Sequence, residues 1–303
     1  MGKIAFVFSG QGAQYPGMGS KLNDCSPAAA EIFRKADAVR SGITAICFNG
    51  TEEELKITAN TQPCLYTVEM AAAAALTEAG IKADMAAGFS LGELAALTYA
   101  EAIDPDTGLA LVNKRAQFMQ EASEEADTSM AAVVKLSNEK VEELCSGFEY
   151  VYPVNYNCPG QVAVAMLSSQ MQAFSAAVKE AGGRAIPVKV SGAFHSPFMK
   201  NASDRFAAEL DKTEFAPLQI PVYSNYTSDV YPEDVAGTLK MQIANPVKWE
   251  QIIRNMIAAG ADTFIELGAG NTLRGFIKKT DSSVRLYGAE SREDIEKILE
   301  EVM

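Results

Sequence analysis

Gly88-Phe89-Ser90-Leu91-Gly92 joins a short apolar run, Asp84–Phe89, to a segment in which Leu91, Leu94, Ala95 and Thr98 recur at helical spacing. G-x-S-x-G between a strand and a helix reads as a nucleophile elbow. The turn is tight, so glycines stand where side chains would clash. Ser90 is then held at the top of a sheet, at the start of a helix. The Leu91 N–H faces the place where an oxyanion would form, and the helix end favours negative charge there. The plainer reading is a Gly-rich strand–helix turn with Ser90 as its cap. The elbow reading makes the fold α/β with a parallel sheet.

A serine nucleophile needs a base. The chain has one histidine, His195, in the Gly- and Pro-punctuated loop Ser191-Gly192-Ala193-Phe194-His195-Ser196-Pro197. A lone histidine is more often structural, but an elbow serine elsewhere favours a Ser90–His195 pair. Serine hydrolases of the α/β type run Ser, acid, His, with the histidine near the end. Here more than a third of the chain follows His195, and no Asp or Glu stands out as a third member. A backbone carbonyl could orient the imidazole instead.

Composition narrows the alternatives. The 303 residues are 48% hydrophobic and 21% charged, ample for a buried core. A net charge of −13 argues against nucleic acid or an anionic membrane as partner. A single histidine removes most metal sites, and none is expected. The five cysteines, Cys25, Cys47, Cys64, Cys145 and Cys158, form no C-x-x-C pair and read as small buried thiols. The opening Ile4–Phe8 run is too short for a secretory segment, and Met70–Leu76 falls far below the roughly 20 residues of a membrane span. The expectation is a cytoplasmic protein, with a monomer as the default.

Ile4–Phe8 predicts a first strand. Thr51-Glu52-Glu53-Glu54 is a capping box. Gln62–Glu78 predicts a long Ala-rich helix ended by Gly80. Asp104-Pro105 pairs an N-cap with proline at the first helical position and starts a helix to about Ala122. The texture changes at Glu121–Thr128. After it come a strand (130–136), a helix (138–145), a strand or hairpin (151–167), a helix (168–181) and a strand (184–190). That β-α-β-β-α-β order is ferredoxin-like. The division expected is a catalytic core of residues 1–123 and 195–303 with an inserted domain at 124–194. Later segments predict helices at 197–211, 235–244, 247–259 and 272–279, strands at 222–224 and 263–267, and a last helix at 292–302 capped by Ser291.

Two further motifs bear on chemistry. Gly10-Gln11-Gly12-Ala13-Gln14 follows the first strand; its glycines let backbone approach a ligand, and the Gln11 N–H could complete an oxyanion hole. An ordinary strand-end turn is the alternative. Arg115 lies between Leu111 and Phe118 on a partly apolar helix face, where a guanidinium can grip a carboxylate, or merely pair with a surface acid. Gly268-Ala269-Gly270-Asn271-Thr272-Leu273 lacks the third glycine of a dinucleotide fingerprint.

Taken together the motifs resemble the malonyl-CoA:acyl-carrier-protein transacylase family. The match runs through Phe8–Gln14, Thr61-Gln62-Pro63, Gly88–Glu93, Arg115, Asn155–Gln161, Gly192–Ser196 and Asn245-Pro246-Val247-Lys248-Trp249. The resemblance implies a hydrolase-like α/β core with an inserted ferredoxin-like domain. It implies ping-pong transfer of a malonyl group from malonyl-CoA to the phosphopantetheine thiol of acyl carrier protein, with no resident cofactor. Ser90 would be the nucleophile, His195 the base, and Gln11 and Leu91 the oxyanion donors. Arg115 would pair with the malonyl carboxylate, and the backbone carbonyl of Gln242 would orient the histidine. Gln62 and Asn157 would lie near the nucleophile and the pantetheine channel. Phe194 before His195 matches malonyl rather than methylmalonyl selection. Many relatives have histidine before the elbow serine; this chain has Phe89.

An acidic carrier meeting an acidic chain needs a local basic patch. Lys189, Arg274, Lys278 and Lys279 are the candidates, against the plainer reading of a solvated helix face. A serine hydrolase, a non-catalytic subunit keeping the fold, and an acyltransferase with another acyl donor are the competing functions.

Overall fold

The computed structural model describes residues 2–188 and 192–302. Lys189 therefore lies outside the described residues. The chain forms a mixed α/β structure with one parallel and one antiparallel sheet. Its strands are β1 (Lys3–Phe8), β2 (Met85–Gly88), β3 (Thr128–Val134), β4 (Val151–Cys158), β5 (Gln161–Leu167), β6 (Arg184–Val188), β7 (Val222–Tyr223), β8 (Ala261–Leu267) and β9 (Arg285–Ala289).

The parallel sheet has the order β7-β2-β1-β8-β9. Ala5, Phe6, Val7 and Phe8 of β1 are all fully buried, because helices cover both faces of the sheet. Phe6 and Phe8 face a core shared with the helices Thr58–Glu78 and Gly92–Tyr99. Ala5 and Val7 face Trp249, Ile252 and Ile253 of the helix Trp249–Ala258. The antiparallel sheet has the order β4-β5-β3-β6 and its own core, with Val133, Val164 and Phe174 at zero exposure. A parallel bridge between Asn155 and Val247 ties the antiparallel sheet to the segment leading into the helix Trp249–Ala258. In it the Tyr156 N–H donates to the Val247 carbonyl, and the Val247 N–H to the Val154 carbonyl, each at 2.9 Å.

Several local readings hold to the residue. Thr51 and Glu54 form the reciprocal capping box. The Asp104 carboxylate accepts from the Asp106 and Thr107 N–H groups ahead of a helix at Pro105–Ser123. Gly80 ends its helix at φ 86°.

The long helix differs from its expected start. It begins at Thr58, not Gln62, so Pro63 lies inside it. Proline has no N–H for the Ala59 carbonyl one turn back. The Arg40 guanidinium donates to that carbonyl instead, at 2.5 Å. Helices at Ser20–Cys25, Pro27–Val39 and Ile43–Asn49 and strand β9 were not anticipated. Gly288 weakens the strand signal of β9, yet a Cβ there would come within 2.8 Å of the Arg274 guanidinium. The expected helix 235–244 stops at Leu239, and 247–259 starts at Trp249, since Val247 is spent on the bridge to β4. The strand expected to reach residue 190 is described to Val188. Cys47, Cys64, Cys145 and Cys158 are buried and Cys25 is half-buried, all as free thiols.

Candidate active site

The parallel strands deliver their C-terminal ends to one place, where open α/β sheets bind ligands. β2 ends in the elbow. Ser90 sits at φ 55°, a left-handed conformation that carries strain in a non-glycine residue. Side chains on the flanking glycines have no room. A Cβ on Gly88 would lie 1.9 Å from the Gly92 carbonyl carbon, and one on Gly92 would lie 2.4 Å from the Phe8 and Ser9 carbonyl oxygens. Asn225, just beyond β7, braces the turn: its Oδ1 accepts from the Ser90 N–H at 2.7 Å and its Nδ2 donates to the Gly88 carbonyl at 2.6 Å.

Ser90 and His195 meet. Ser90 Oγ lies 2.6 Å from His195 Nε2, although 105 residues separate them. His195 Nδ1 lies 3.1 Å from the Gln242 backbone oxygen. A carbonyl only accepts, so Nδ1 carries the proton and Nε2 is left to accept from the serine. Burial lowers the imidazole from 6.5 to about 4, with the charge of Arg115 adding to the effect. It is therefore neutral near pH 7, the state a general base requires. His195 is itself at φ 60°, in a loop held by the Ala193 N–H donating to Thr128 Oγ1 at 3.2 Å.

Arg115 is fully buried. Its Nη1 donates to Gln62 Oε1 at 2.8 Å, and its Nη2 to Gln242 Oε1 at 2.8 Å and to Ser90 Oγ at 3.1 Å. Every one of those acceptors is neutral, so the guanidinium has no direct carboxylate partner among the described residues. Burial lowers it to about 10, opposed by the charge of Glu93, and it stays protonated. Gln62 is bound to Arg115 and reaches the site through the guanidinium; neither side chain is among those that line the cavity.

A cavity of about 220 Å³ opens over Ser90 and His195. Gln11, Phe89, Asn157, Phe194 and Phe276 line it, with Gln161 on the same wall. The Gln11 and Leu91 N–H groups donate to nothing among the described residues. Gln11 Oε1 and Asn157 Oδ1 are buried without a partner there. Unspent buried polar groups beside a nucleophile are what a bound substrate would satisfy. Lys279 Nζ donates to Gln161 Oε1 at 3.1 Å, which brings the Lys278-Lys279 pair close to this cavity. Arg274 is turned inward, bound to Glu266 at 3.1 Å, and is a weaker surface charge than the sequence suggested.

A supporting layer went unread in the sequence. Glu93 Oε1 accepts from the Tyr231 hydroxyl at 2.6 Å and the Asn225 N–H at 2.9 Å. Its Oε2 accepts from Gln242 Nε2 at 2.5 Å. Burial raises the carboxyl to about 7 against the pull of those donors and of Arg115. Beneath the Gln11 turn, Ser9 Oγ donates to the buried Glu69 at 2.8 Å. Two acids among buried elbow and helix residues were the available signal.

A family model described as acyl transferase domain matches residues 5–297. The malonyl CoA-acyl carrier protein transacylase of Bacillus subtilis (strain 168) is 37% identical over 304 residues, covering 98% of this chain and 96% of its own. The solved malonyl CoA-acyl carrier protein transacylase of Clostridium perfringens superposes with a TM-score of 0.95 at 37% identity, over 99% of this chain and 97% of its own. A malonyl-transacylase solved in complex with a type II PKS acyl-carrier protein gives 0.95 at 33% identity, over 98% and 99%. A serine paired with the one histidine, a buried arginine beside it and likeness along nearly the whole chain agree: this acyltransferase belongs to the malonyl CoA-acyl carrier protein transacylase family.

Proposed function

We propose that the protein transfers a malonyl group from malonyl-CoA to the phosphopantetheine thiol of acyl carrier protein, supplying fatty-acid elongation. The observation that carries this reading is the buried Arg115, 3.1 Å from the nucleophilic oxygen and without a carboxylate of its own. An acyl group ending in a free carboxylate supplies the missing partner.

The mechanism is ping-pong. Ser90 Oγ attacks the thioester carbonyl while His195 Nε2 takes its proton. The Gln11 and Leu91 N–H groups hold the tetrahedral oxyanion. The C–S bond breaks, and the CoA sulfur leaves with the proton from His195. In the second half the pantetheine thiol gives its proton to His195, attacks the malonyl-serine ester, and Ser90 recovers its proton. The first half-reaction turns a thioester into an ester and the second turns it back into a thioester, with no change of oxidation state, so the proposed steps call on no metal or resident cofactor. Asn157 and Gln11 line the channel for the arm. Phe194 forms a wall that leaves little room for an α-methyl group.

The parallel sheet with the elbow at the end of β2 supports a hydrolase-like core at 1–123 and 195–303. The β-α-β-β-α-β succession across β3–β6 supports a ferredoxin-like inserted unit at 124–194. Carrier docking is assigned to the Lys278-Lys279 pair. The protein is read as a cytoplasmic monomer, with neither nucleic acid nor membrane as partner; no helix among the described residues is long and apolar enough to cross a bilayer.

Intact-protein mass spectrometry after brief exposure to malonyl-CoA, then to reduced holo carrier protein, tests the reading. A malonyl adduct should form on the wild type, be absent from Ser90→Ala, and move to the carrier. Loss of the adduct at one rate with or without carrier would make the protein a hydrolase.

A further inference from the structure

Glu93 touches neither the cavity nor Ser90 Oγ, yet it is fully buried and ionisable, and the reaction as described leaves it idle. Its place becomes intelligible through Gln242. That side-chain amide stands between groups of opposite hydrogen-bonding character. On one side Arg115 presents only donors, Nε at 3.3 Å and Nη2 at 2.8 Å, both to Gln242 Oε1. On the other side stand two acceptors, Glu93 Oε2 at 2.5 Å and the Ser90 carbonyl at 2.6 Å, both taking from Gln242 Nε2. An amide has one end that accepts and one that donates. Reversing it would set NH2 against guanidinium and oxygen against carboxylate. The same residue's backbone oxygen holds His195.

We infer that Glu93 is a positioning residue which, through the amide of Gln242, holds Arg115 in the orientation that accepts a free acyl carboxylate, and so sets the preference for malonyl over uncharged acyl groups. This deepens the proposed malonyl transfer and rests on it. The arrangement answers a problem in the site. A buried guanidinium needs a nearby negative charge, but a carboxylate in direct contact would occupy the place of the substrate's own. One amide of separation lets Glu93 fix the amide that holds Arg115 while no carboxylate touches the guanidinium, whose Nη2 bonds only the neutral Gln242 Oε1 and Ser90 Oγ.

Glu93→Gln changes one oxygen to NH2 at nearly constant shape. Glu93 is surrounded by three donors: Tyr231 Oη, Asn225 N and Gln242 Nε2. Tyr231 can turn its hydroxyl, but the Asn225 and Gln242 groups cannot both keep an acceptor. The conflict passes to the grip on Arg115 or to the brace under Ser90.

The test compares acylation of Ser90 by malonyl-CoA and by acetyl-CoA, as the ratio of the two kcat/KM values, in wild type, Glu93→Gln, Gln242→Leu and Tyr66→Phe. The ratio should fall by about tenfold or more in Glu93→Gln, the scale of a lost hydrogen bond to a charged group. It should fall likewise in Gln242→Leu, which keeps the backbone carbonyl for His195. Tyr66→Phe removes a buried hydroxyl bonded to Thr98 and the Pro105 carbonyl and to none of Glu93, Gln242 and Arg115; its melting temperature should drop while its ratio stays within about twofold of the wild type, the additivity expected of a group outside the relay. Should Glu93→Gln not fold, Gln242→Leu decides alone. An unchanged ratio in Gln242→Leu, or an equal change in Tyr66→Phe, overturns the inference. A wild type that takes no malonyl group at all overturns the functional reading instead, so the two failures are distinct.

Discussion

His195 Nδ1 donates to the backbone oxygen of Gln242 at 3.1 Å, so a neutral carbonyl occupies the place an acid takes in a Ser-His-Asp triad. No carboxylate among the described residues bonds the ring, and burial with the Arg115 charge keeps it neutral to about pH 4. The base is competent above its own pKa and is lost as pH falls through it. First-half kcat/KM with acetyl-CoA should therefore persist well below pH 6.5 and fall on an acid limb nearer 4. A limb at 6.5 would mean that the ring is not buried as described. The linked stability has the same sign: the unfolded chain binds this proton between about 6.5 and 4, so the contribution of His195 is present above 6.5 and lost on acidification.

Arg115→Ala should abolish most malonyl use while sparing acetyl in relative terms. Removing one partner of a desolvated charge pair costs about 2–5 kcal/mol, roughly thirtyfold to several thousandfold. Acylation rates with the two CoA esters measure it, and equal loss on both would remove the assigned role.

Two glycine substitutions should behave in opposite ways. Gly88→Ala sets a Cβ 1.9 Å from backbone at Gly92 and should leave little folded protein. Gly275→Ala, in the helix Thr272–Thr280, meets nothing within 4 Å. It should raise stability by about 0.5–1 kcal/mol, since alanine loses less backbone entropy in a helix. Thermal melts of both variants check the pair.

Charge reversal at Lys278 and Lys279 should slow transfer to the acidic carrier, with the difference narrowing as salt rises. Carrier kcat/KM across a salt series reads it. Unchanged turnover would place docking elsewhere, with Lys279 kept for its bond to Gln161.

Selection against a branched donor should be modest. The Phe194 wall is worth about 1–3 kcal/mol against an added methyl group, so Phe194→Ser should raise methylmalonyl use without removing malonyl use. Competition between the two CoA esters measures the shift.

Much of this molecule is written in local sequence. The elbow at Gly88–Gly92, the box at Thr51–Glu54 and the Asp104-Pro105 helix start each rest on contacts within about four residues, where residue type alone selects geometry. The one histidine and the elbow serine named the catalytic pair by elimination. Locality also explains the misses. Pro63 reads as a helix start because the Arg40 guanidinium that completes its turn lies elsewhere in the chain. Gly288 hides β9 because the Arg274 side chain that requires it comes from another element.

The tertiary structure decided what the site's parts do to one another. Gln62, expected near the nucleophile and the pantetheine channel, is a partner of Arg115, 53 residues away. Glu93 and Arg115 meet through Gln242, which lies 149 and 127 residues from them. No pattern of spacing carries such contacts, because they exist only once the parallel strands have brought their ends together and excluded water. That exclusion is also what lowers His195, raises Glu93 and leaves Arg115 charged without a carboxylate of its own. Residue type supplied the nucleophile, the base and the cation; burial, which depends on the whole fold, gave them their protonation states.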